Sequence, residues 1–209
     1  MKMKKEQDYF RDLAEIRSMM ERSSKFMSLS GWAGIMAGIY ALIGAYLAYD
    51  LLDFNLQRAS AYPSSAIDAA EFFPTIVVAS IVLVLALGTA IYLSHKKAKK
   101  RAEKVWNATS KRLLTHMAIP LVSGGILILT LISKGLIVLA APLSLVFYGI
   151  ALFNASKFTF EVLKYLGLIQ IILGLASAYF TEYGLLFWAI GFGVFHIIYG
   201  TYMHFKYER

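Results

Sequence analysis

The chain has 209 residues, 58% hydrophobic and only 16% charged, with 21 Lys and Arg against 13 Asp and Glu and a formal net charge of +8. Soluble domains carry about 25% charged residues, and each helical bilayer crossing takes about 17 to 25 apolar ones, so the composition points to lipid as the main solvent and excludes a separate soluble domain. The absence of cysteine excludes disulfides, thiolate metal sites, iron–sulfur ligation and a cysteine nucleophile.

Residues 1–30 form a polar lead in which Tyr9, Leu13, Ile16, Met20, Ser23 and Met27 recur at steps of four and three. That spacing predicts a cytoplasmic amphipathic helix, which either lies on the inner leaflet or docks its stripe against a partner or a second copy. The first apolar run begins only at Gly31, too far from the start for a cleaved signal peptide, and reads as an uncleaved span. Six apolar stretches follow, about 31–49, 72–94, 117–133, 136–153, 162–180 and 185–205. Backbone polar groups in hydrocarbon must be paired internally, and no stretch alternates with the period of a strand. The expected fold is therefore all-α and polytopic: an N-terminal amphipathic helix followed by a six-helix transmembrane domain over 31–209.

In the first span Gly34 and Gly38 form a GxxxG, prolonged by Ala41, Ala45 and Ala48. Small residues at this spacing let helix backbones approach closely, either within the monomer or in a homodimer. The connector "DLLDFNLQRASAYPSSAIDAAE" is too short for a receptor domain. Residues 94–116, "SHKKAKKRAEKVWNATSKRLLTH", then hold eight cations, including Lys96, Lys97, Lys99, Lys100, Arg101 and Lys104, against one acid, Glu103. Ala98, Ala102, Val105, Thr109 and Leu113 recur at helical steps that would prolong the second span.

Counting that stretch, 19 basic residues fall on one side of the six spans, and only Arg58 and Lys134 fall on the other. Cationic loops stay cytoplasmic, so both termini are expected there, in the inner membrane. The basic loop is what inserting such a protein requires; attraction to anionic head groups is an overlapping reading. Nucleic acid is disfavoured, because Trp106 is the only aromatic of the stretch and no recognition fold accompanies it.

Pro142 lies inside the fourth span and is expected to kink it. Aligning "KGLIVLAAPLSLVF" with "YGLLFWAIGFGVFH" sets Pro142 against Gly191, and aligning "GIMAGIYALIGAY" with "GLIQIILGLASAY" sets Gly34 against Gly167. Both fit three tandem helical hairpins, a common plan among transporters. No Asp, Glu, Lys or Arg falls in the middle of a span, which argues against a pump run by buried carboxylates. Gln170 is the one amide well inside the bundle, and His196 lies about 12 Å deeper than His204 by helix rise. Metal or haem ligation needs ligands at one depth, so none is expected; a neutral imidazole bonded to a neighbouring span, Gln170 for instance, fits better. There is no nucleophile elbow, P-loop or dinucleotide fingerprint.

These features suggest a non-enzymatic inner-membrane protein without cofactor. It would act by association through its N-terminal helix and basic loop, with the bilayer, a cytoplasmic or membrane protein, or a second copy as partner. The alternative is a small transporter or channel for a neutral or weakly polar solute, built around Gln170, His196, Pro142 and Gly191.

Overall fold

The computed structural model describes residues 29–61, 73–100 and 106–208, with the backbone alone for 52–61. The predicted helix over 1–30, apart from Leu29 and Ser30, lies outside the described residues, as do Arg101 and Lys104. Among the described residues there is no strand, and six helices are long and apolar enough to cross a membrane.

These are α1 (Gly31–Ala61), α2 (Phe73–Lys100), α3 (Ala108–Ser133), α4 (Ala140–Ala155), α5 (Val162–Tyr179) and a compound α6 (Thr181–Tyr207). Short 3-10 turns, Ile137–Leu139 and Ser156–Phe158, extend α4 at both ends. At 1.5 Å per residue α1 runs about 46 Å, well beyond the roughly 30 Å of hydrocarbon. Its second half carries Asp50 and Asp53 out past the apolar stretch. The described part of α2 runs to Lys100, and a bend at Trp106 and Asn107 precedes α3, so Ala98 lies on α2 and Thr109 and Leu113 lie on α3, while Ala102 and Val105 lie outside the described residues. Asn107 starts α3 with a reciprocal cap: its Oδ1 accepts from the Ser110 N–H at 2.8 Å while Ser110 Oγ accepts from the Asn107 N–H at 2.9 Å. Between α3 and α4 the chain reverses on Gly135, at φ +78°. The N–H groups of Gly135 and Leu136 bond back to the carbonyls of Ile132 and Leu131, each at 2.9 Å, an arrangement that favours glycine in the left-handed position.

The kink expected at Pro142 presumes a place within the helix that the structure does not give it. Pro142 occupies the first turn of α4, where its missing N–H is one of the groups that has no intrahelical partner anyway. The proline that does sit inside a helix is Pro120 in α3.

Small residues set the packing. A Cβ added to Gly38 would lie 2.6 Å from the Gly193 carbonyl oxygen, and one added to Gly34 3.1 Å from the Gly200 Cα, so α1 and α6 cross in backbone contact. Ala41 and Ala45 are buried on α1 as well. The small ridge of the first span is thus used inside the monomer. A second crossing joins α4 and α5, where a Cβ on Gly149 would meet the Gly167 oxygen at 2.6 Å and one on Gly167 would meet the Gly149 oxygen at 2.7 Å. Helix α3 packs on α4, and α2 packs on α1 and meets α6 through the Lys97–Glu208 pair. Helices α2 and α3, consecutive in sequence, share no packed face.

Candidate functional site

At the middle of α4, α5 and α6 the structure gathers the polar side chains of Tyr148, Gln170 and His196. Its centre is a π-helical turn in α6, Ala189–Val194, flanked by the α-helical segments Gly184–Trp188 and Phe195–Tyr207. A widened turn loosens the regular ladder and is frequent at functional positions. Here the Gly191 carbonyl accepts from two side chains at once, Gln170 Nε2 of α5 at 2.8 Å and His196 Nδ1 at 3.0 Å. Because a carbonyl only accepts, His196 carries its proton on Nδ1. Its bare Nε2 then accepts from the Tyr148 hydroxyl of α4 at 2.9 Å. Tyr148, Phe192 and His196 stack, with Phe192 4.9 Å from Tyr148 and 5.8 Å from His196 between ring centres.

The glycine at 191 leaves room for two neighbouring side-chain tips. A Cβ there would fall 2.5 Å from Leu145 Cδ2 and 2.6 Å from Gln170 Oε1. That amide oxygen is buried and has no hydrogen-bond partner among the described residues, as is also true of Ser177 Oγ and Tyr199 OH. Gln170 is wholly buried and His196 only 5% exposed.

Of the four residues singled out from sequence, the structure brings Gln170, His196 and Gly191 together. It places Pro142 elsewhere, with its carbonyl oxygen 2.8 Å from where a Cβ on Gly174 of α5 would stand. Gln170 and His196 do not bond to one another; they share the Gly191 carbonyl. Tyr148 completes the group and was not foreseen, since a tyrosine within an apolar run gives no sign of which way its hydroxyl is turned.

A second polar group closes one end of the bundle. Glu208, at the end of α6, accepts through Oε1 from Lys97 Nζ at the end of α2 and from the Gly31 N–H at the start of α1, each at 2.9 Å. Through Oε2 it accepts from His204 Nδ1 at 2.8 Å. Lys97 also donates to the Leu29 carbonyl and lies 5.8 Å from the centre of the Phe160 ring. Burial alone would raise the Glu208 pKa. Hydrogen bonds from His204, Lys97 and the Gly31 N–H, together with the charge of Lys97, outweigh burial and pull it down to about 2. This clasp ties three helices with one carboxylate. It also separates Lys97, 13% exposed and paired, from its neighbours Lys96, Lys99 and Lys100, which face solvent. The basic stretch is thus not a uniform cationic surface.

Among the described residues, no three His, Asp or Glu side chains gather as a metal site. No protein family matches the chain, and no curated protein or solved structure is similar to it.

Proposed function

We propose that the protein acts by association, as a non-enzymatic scaffold of the inner membrane whose termini and basic connector lie in the cytoplasm and meet a partner there. The observation that supports this reading is how the central polar groups are used. Tyr148, His196, Gln170 and the Gly191 carbonyl are bonded to one another in a buried, stacked group, an arrangement suited to holding helices in register. Lipid supplies no hydrophobic drive for pairing helices, so a packed, glycine-lined interior plus an internal polar lock makes a rigid support. The clasp then fixes the end of that support from which residues 1–28 and 101–105 extend.

Deletion of residues 1–28 tests the reading. Loss of co-purifying protein, or a change of oligomeric state in detergent, with the melting temperature of the membrane domain preserved, is the expected result. An unchanged set of partners and an unchanged oligomer overturn it. The transport reading keeps one observation in its favour, the unpaired Gln170 Oε1 beside the π-helical turn. Flux of a small neutral solute into proteoliposomes that falls on Gln170→Leu would favour it instead.

A further inference from the structure

Between helices α1 and α2 lies an open groove of about 570 Å³, walled by Trp32 and Met36 on α1 and by Leu85, Gly88, Thr89 and Tyr92 on α2. The Thr89 hydroxyl in this wall is already bonded to Tyr40 OH at 3.3 Å, and the polar atoms of Trp32 and Tyr92 are carried by aromatic rings, so the surface offered is mostly apolar. Taking the roughly 30 Å³ share of a water molecule as the size of a methylene, the groove holds on the order of twenty such groups, the bulk of an acyl chain.

What lies at the end of the groove selects the kind of chain. Trp32 and Tyr92 are both exposed at its mouth, at the depth where aromatic rings collect between hydrocarbon and water. On α2 the steps 85, 88, 92 continue without a break to Lys96 and Lys99, about one and two turns farther on, and Lys100 adjoins them. All three lysines are exposed. Glu208 is committed to Lys97, His204 and the Gly31 N–H, and among the described residues none of these three lysines forms an ion pair. An apolar trough that opens beneath uncompensated cations is complementary to one molecule type: an amphiphile with a hydrocarbon tail and a negative head.

We propose that the α1–α2 groove binds one anionic phospholipid, its acyl chain lying along Met36, Leu85 and Gly88 and its phosphate head held by Lys96, Lys99 and Lys100. The site depends on the six-helix membrane fold alone and stands whether or not the protein acts by association.

Native mass spectrometry of the full chain in detergent, titrated with phosphatidylglycerol and phosphatidylcholine of identical acyl chains, tests the assignment. The wild type is expected to retain one phosphatidylglycerol in preference to phosphatidylcholine. Replacing Lys96, Lys99 and Lys100 by Gln should remove that preference, at about fivefold per lysine, while phosphatidylcholine binding stays as it was. Gly88→Leu places a side chain in the groove at a position where no atom lies within 4 Å of a Cβ, and it should weaken both lipids. Gly125→Leu is the matched control, at an equally open glycine on α3, and should weaken neither. Equal retention of the two lipids by the wild type overturns the proposal, as does equal behaviour of the two leucine variants. A two-chain species abolished by Gly88→Leu alone would give the groove to a second copy, which also overturns it. Should Gly88→Leu fail to fold, the lysine variant decides the head-group half on its own.

Discussion

Glu208 shows how much one side chain holds in this molecule. It takes hydrogen bonds from α1, α2 and α6 at once, and each donor disfavours protonation. A carboxylate whose folded pKa lies at about 2, below the ordinary 4.5, adds stability above the ordinary value and loses it as pH falls toward the lower one. Glu208→Gln keeps the shape and removes the charge. Its expected cost at neutral pH is about 1.5 to 3 kcal/mol, the range for hydrogen bonds to charged groups, read as a lowered melting temperature in detergent. As pH falls from 4.5 toward 2 the wild type should approach the variant, whose own melting temperature lacks this acid-dependent loss. Equal melting temperatures at neutral pH would show that the clasp contributes nothing. The sequence already held a sign of it: His204 and Glu208 are four apart, and Glu208 is the one acid beside the cations of the C-terminal segment. What the spacing did not hold was Lys97. Its role depends on α1, α2 and α6 ending at one level, which is a property of the assembled bundle.

At the scale of helices, backbone contact between glycines governs the two main crossings. At Gly167 an added methyl would lie 2.7 Å from the Gly149 oxygen and 2.8 Å from the Phe153 nitrogen, both backbone atoms that cannot step aside. Gly167→Ala must therefore separate α4 from α5, at a cost of about 1 to 3 kcal/mol as in other overpacked interiors. Gly125→Ala, which meets nothing, should be neutral or stabilising by up to about 1 kcal/mol through helix propensity. Thermal unfolding of the two variants side by side checks this; similar effects would dismiss glycine contact as the organising device. The GxxxG at Gly34 and Gly38 was legible because small residues at one helical spacing have few other uses in lipid. The six helices were legible because hydrocarbon permits no other backbone. The π-helical turn was not, since "AIGFGV" reads as an ordinary glycine-containing helix. It is seen only where Gln170 and His196 converge on the Gly191 carbonyl. Pro142 was misread because its place relative to the start of α4 decides whether its missing N–H matters, and a span boundary drawn from hydropathy is too coarse to fix that place.

For the molecule as a whole, the starts of α1, α3 and α5 and the ends of α2, α4 and α6 lie at the clasp, and the Gly135 reversal lies at the opposite end. Since the natural chain has no cysteine, introduced thiols report topology without background. With the proposed cytoplasmic clasp, Lys134→Cys in intact cells should react with a membrane-impermeant maleimide, and Lys99→Cys should react only after the membrane is opened. The reverse pattern would invert the orientation, and labelling of both from outside would contradict a six-helix crossing. Among the described residues α2 and α3 share no packed face, although the basic connector leads directly from one to the other. With α3 not packed on it, α2 is kept in place by α1 along its flank and by the Lys97–Glu208 pair at its end, so breaking that pair would release the end of the helix first.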